Sequence, residues 1–93
     1  MLSDKQVKEK FYHCFSDLQR SAASYYLNPQ GKNHLVFLKH AKKILRSIGN
    51  KKAHLFTSKI TKIEKEIANR PKLEREKVNL ADKILTLGCI LKT

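Results

Sequence analysis

Apolar residues return at steps of three and four along four stretches of this 93-residue chain, and the rhythm lapses at only three places. That spacing puts side chains on one stripe of a 3.6-residue helix. The lapses fall at Asn28-Pro29-Gln30-Gly31, Gly49-Asn50 and Arg70-Pro71, in a chain holding only three Gly and two Pro. No alternation of period two lasts long enough to compete as a strand. The connections are short, so successive helices must run antiparallel. The expected fold is a single all-α domain over residues 1–93, an antiparallel up-and-down four-helix bundle with helices at about 4–27, 34–48, 51–69 and 72–91.

Local chemistry supports each boundary. Val7, Phe11, Cys14, Phe15, Leu18, Ala22 and Tyr25 form the first stripe, opened by a Ser3/Gln6 capping box and closed before Pro29. Asn33 is the expected N-cap of the second helix, whose apolar set is Phe37, Leu38, Ala41, Ile44, Leu45 and Ile48, with Gly49 as its left-handed stop. Ala53, Phe56, Ile60, Ile63 and Ile67 mark the third. The fourth is expected to start at or just after Pro71, with Leu73, Leu80, Ile84, Leu87 and Leu91 in heptad-like register. Val78, Leu85 and Cys89 make a second apolar line on that helix. It is therefore expected to lie deep, packed against two helices of its own chain or against a second copy.

Charge is the second constraint. Twenty Lys and Arg oppose eight Asp and Glu, a net of +12. Residues 1–31 carry +1 and residues 63–93 carry +2, whereas residues 32–62 carry nine basic side chains and no acid. On a wheel of about 100° per residue, Lys39, Lys42, Lys43 and Arg46 share one arc opposite the apolar set of the second helix. The third helix opens with Lys51 and Lys52 and carries Lys59 and Lys62 on the side away from its apolar stripe, so the two outer faces are expected to merge. Like charges three and four apart repel by a few tenths of a kcal/mol per pair, and an anion would relieve that. Lysines set against phosphates also release condensed counterions, which gives affinity for a nucleic-acid backbone that falls with salt. A basic run is also what a merely solvated face looks like.

Sharper sites fail on spacing. A helix-turn-helix around Gly49 would place Asn50 and Ser58 where apolar residues belong. Tyr25 falls on the core stripe and Tyr26 at its margin, which favours packing over base stacking. His13, His34, His40 and His54 include no pair at i, i+3 or i+4, and Cys14 and Cys89 have no metal-ligand spacing, so neither a metal nor a disulfide is expected. Glu64 and Glu66, like Glu74 and Glu76, are two apart and on different helix sides. With no phosphate loop or nucleophile motif either, the chain reads as a non-enzyme without a cofactor. The polar opening Met1–Lys5 carries no secretory signal, and Val78–Leu91 is too short and too charged to cross a bilayer.

The expectation is a cytoplasmic module binding nucleic-acid phosphates through the helix 2–3 surface, with Arg46 best suited to a bidentate contact. The alternative is a protein-binding bundle of antitoxin, immunity or adaptor type. Its basic face would meet an acidic protein or anionic membrane surface, and Val78, Leu85 and Cys89 would form a docking or homodimer face.

Overall fold

The computed structural model describes residues 2–92, and among them the chain forms four helices and no strand. They are α1 (Asp4–Leu27), α2 (Asn33–Ile48), α3 (Lys51–Ala68) and α4 (Glu74–Lys92). Each packs beside its chain neighbours, and α4 returns to lie along α1, giving an up-and-down bundle of 44 × 20 × 18 Å. Around this square α1 opposes α3 and α2 opposes α4.

Two helix starts carry a side-chain cap, a third carries acids in its first turn, and one has neither. The Ser3 Oγ accepts from the Gln6 amide at 3.2 Å while the Ser3 amide donates to Gln6 Oε1 at 2.9 Å, completing the expected box. The Asn50 side chain accepts from the Ala53 amide at 2.8 Å to open α3. Glu74 and Glu76 occupy the first turn of α4, where negative charge meets the positive helix end. Asn33, however, does not cap α2. It is already helical, Lys32 stands at the N-cap position, and no side chain caps the turn. At the other end of α2, Gly49 adopts φ +71°, the left-handed stop expected of it.

The core follows the stripes. Leu18, Leu38, Leu45, Ile60 and Ile84 are fully buried, with Cys14 and Ala41 filling between them. Three details differ from expectation. The third helix stops at Ala68. The fourth begins at Glu74, leaving Pro71 and Leu73 in the connection and Leu73 exposed. Proline's fixed φ suits a first turn but does not compel one.

Helix α4 is also less deep than its double line implied. Leu85 is 39% exposed, Cys89 is exposed and Val78 is half-buried. In a square each helix has only two neighbours, so a stripe wider than they can cover is left over. The helix flanked most fully is α1, and the close approach of α4 to it depends on Gly88. A Cβ there would lie 3.2 Å from Leu18 Cβ and 3.3 Å from Phe15 Cδ1.

Candidate anion-binding surface

The cations of α2 divide according to what flanks them. Lys39, Lys43 and Arg46 are exposed on the outer arc, opposite the buried Leu38, Ala41 and Leu45, and none has a carboxylate partner among the described residues. Lys42 sits at the edge of that arc nearest α3. Its Nζ donates to Glu64 Oε1 at 2.5 Å, with the two side chains 14% and 19% exposed. On the α1 side, His40 Nδ1 donates to Asp17 Oδ2 at 2.5 Å. Asp17 is buried within the α1 stripe, while the imidazole remains mostly in solvent. Lys10 Nζ donates to Ser47 Oγ at 2.9 Å, a second α1–α2 tie.

Helix α3 distributes its lysines over more than one side. Lys51 and His54 border a shallow groove with Arg46 at the α2–α3 turn, so Lys51 extends the α2 arc. Lys52 turns elsewhere, its Nζ 5.0 Å from the Phe11 ring centroid and beside Asp4 and Lys8. Lys59, with its Nζ 5.5 Å from the Phe56 ring, and Lys62 border the α3–α4 groove together with Glu66, Asp82 and Lys83. Lys83 Nζ donates to Glu66 Oε1 at 2.9 Å there.

The eight cations therefore do not form one surface. Lys39, Lys43, Arg46 and Lys51 share the α2–α3 side, Lys42 is paired, and Lys52, Lys59 and Lys62 face other sides. Helical phase turns Lys59 and Lys62 away, since Glu64 is an α3 residue turned toward α2 and they stand roughly 140–160° around from it; Lys51 has nearly the phase of Lys62 and meets Arg46 only because it opens α3 beside the turn. Lying away from the core stripe did not mean lying toward α2.

The apolar line of α4 runs beside α1, across the bundle from these cations. There Lys92 Nζ lies 5.0 Å from the Phe15 ring centroid, and Tyr12 packs on Phe15 at 6.1 Å. Leu85 and Cys89 are exposed on this side. Tyr25 is buried and Tyr26 exposed, as their phases required. Cys14 and Cys89 are both free. Burial, with Asp17 nearby, pushes the Cys14 thiol up to about 12, so it is not a thiolate near neutral pH. Among the described residues no group of three His, Cys, Asp or Glu could hold a metal ion, and no helix is long and apolar enough to cross a membrane.

Two interhelical pairs, Asp17–His40 and Lys42–Glu64, were not read from the sequence. Asp17 did carry a signal, since it lies between Cys14 and Ser21 and borders the buried face of α1. An acid there needs a partner. No protein family, no curated protein and no solved structure matches this chain.

Proposed function

We propose that this protein is a non-enzymatic, cytoplasmic module that grips a polyanion, a nucleic-acid backbone first among them, with Lys39, Lys43, Arg46 and Lys51. The observation that carries this reading is the run of exposed cations on α2 that no carboxylate among the described residues neutralises, in a stretch of nine basic residues without an acid. Contacts to phosphate give affinity without base selectivity. Lys52, Lys59 and Lys62 lie outside this contact, and Lys42 is held in reserve by Glu64.

The test is salt-dependent binding to duplex DNA. Each of Lys39→Gln, Lys43→Gln and Arg46→Gln should weaken binding about equally on all sequences and reduce the log–log salt slope by about one. Lys59→Gln/Lys62→Gln should leave the slope unchanged. Failure to bind DNA or heparin at physiological ionic strength, or an undiminished slope in the α2 variants, refutes the reading.

A second reading has its own observation: Leu85 and Cys89 are exposed on α4, and Tyr12 is exposed on α1, the helix packed against it. If that side docks a protein, Leu85→Gln should abolish association while changing the unfolding midpoint little, because the residue is already 39% exposed.

A further inference from the structure

At one end of the bundle, where the 28–32 connection meets the 69–73 connection, lies a cavity of about 360 Å³. That is at the small end of the roughly 300–1,000 Å³ typical of ligand pockets. Lys32, Arg70 and Lys77 border it, no Asp or Glu does, and its inner wall includes Tyr25 and His34. The nearby Glu76 lines a neighbouring groove instead, with Glu66.

Three further observations meet there. The first is the start of α2, which has neither a capping side chain nor an acid in its first turn. The Leu35 and Val36 amides donate to Lys32 O at 3.1 and 3.3 Å, which leaves the Asn33 and His34 amides without an acceptor among the described residues. Two free N–H groups and the helix dipole together attract an anion. The second is His34 itself. It is 1% exposed, its ring stands edge-on to Tyr25 at 5.0 Å, and its Nδ1 has no hydrogen-bond partner. Buried polar atoms in folded proteins are seldom left so, and a ligand is one of the things that satisfies them. The third is Arg70, held at φ +52°, a left-handed conformation costly for any residue but glycine.

We propose that this cavity binds a single phosphate dianion, inorganic or a monoester. The Asn33 and His34 amides and the His34 ring would hold its oxygens, and Lys32, Arg70 and Lys77 would balance its charge. The small volume of the cavity, about 360 Å³, favours a compact anion over an extended strand. The proposal stands independently of polyanion binding by the α2–α3 side.

Titration of the 15N-labelled protein with inorganic phosphate, against chloride at constant ionic strength, tests it. Saturable shifts are expected at the Asn33 and His34 amides and the His34 ring nitrogens. Arg70→Gly and Lys77→Gln should each weaken binding about tenfold or more, since each removes a charge-assisted contact. Arg70→Gly suits the backbone and so keeps the fold. Lys39→Gln/Lys43→Gln should leave the phosphate shifts intact even if it abolishes DNA binding, which separates the two readings. Shifts that fail to saturate, that spread evenly over the surface lysines, or that persist undiminished in both cavity variants overturn the proposal. A short oligonucleotide with and without a 5′-phosphate identifies the source. Tighter occupancy by the phosphorylated strand than by inorganic phosphate assigns a strand end, and equal occupancy assigns a free phosphate or monoester. Equal occupancy by the unphosphorylated strand overturns the dianion site.

Discussion

Glu64 is the residue at which stability and polyanion binding should move in opposite directions. Its carboxylate accepts from Lys42 Nζ between α3 and α2, and both side chains are mostly buried. Glu64→Gln keeps the shape but strands the Lys42 ammonium. Breaking a wholly buried pair costs about 3–5 kcal/mol, and the residual exposure of both groups, 14% and 19%, lowers the expected loss to about 2 kcal/mol. For 93 residues, an unfolding entropy of about 2.1 cal/mol/K per residue turns that into a fall in Tm of about 10 °C. Lys42→Met/Glu64→Leu, which removes both charges and fills the space, should recover most of it. Bound DNA can draw the stranded Lys42 ammonium out into the arc of Lys39, Lys43 and Arg46, so the salt slope of DNA binding should rise by about one. Calorimetry and a salt titration on the same preparation read both quantities. Unchanged Tm, or binding that falls together with Tm, would refute the reasoning that this pair holds a cation back from the surface.

Burial lowers the His34 pKa from its ordinary value of 6.5, so the unfolded chain takes up that proton first. Stability should therefore be full above about pH 6.5 and decline below it, and the decline should flatten in His34→Gln when urea midpoints are followed in phosphate-free buffer. Gly88→Ala gains about 1 kcal/mol of helix propensity but forces α4 from α1 at an overpacking cost of about 1–3 kcal/mol. It should be neutral to destabilising, whereas Gly88→Val should lose about 2–3 kcal/mol by denaturant titration. A thiol reagent at mildly alkaline pH should label Cys89 in the native protein and Cys14 only after unfolding, because the first is exposed and the second buried with its thiol pushed up to about 12. Rapid native labelling of both would contradict the packing of Cys14 against Ala41.

The helices were legible because their evidence is local. Ser3 with Gln6, Gly49 and the three-and-four spacing act within a turn or two, and they placed α1 to the residue and α2 and α3 within one. What failed depended on neighbours in space. Gly88 fell inside the expected fourth helix, but its role as the contact that lets α1 and α4 approach was not read. Leu73 matched the register of α4 but precedes its first turn. The lysines of α3 were read as one outer face, although which side meets α2 was fixed by Glu64 finding Lys42. A wheel gives the angle between two side chains on one helix. It does not say which neighbour each angle meets.

The absence of any Asp or Glu in α2 connects these separate features. Its compensation is borrowed from both flanks, Asp17 of α1 taking His40 and Glu64 of α3 taking Lys42. Both carboxylates face inward, where burial makes an unpaired charge expensive. Such pairs fix the rotation of α2 in the bundle, since turning it would part both at once. The outward arc receives no such loan because no element of the chain lies beyond it, and the uncapped first turn receives none because the chain across from it brings Arg70 and Lys77 rather than an acid. Charge left there is tolerated by solvent and screened by salt, and it remains open to an external anion. The bundle therefore neutralises α2 where packing demands it and leaves its solvent side and its positive end unmatched. A polyanion and a single phosphate group would act on two ends of the same deficit.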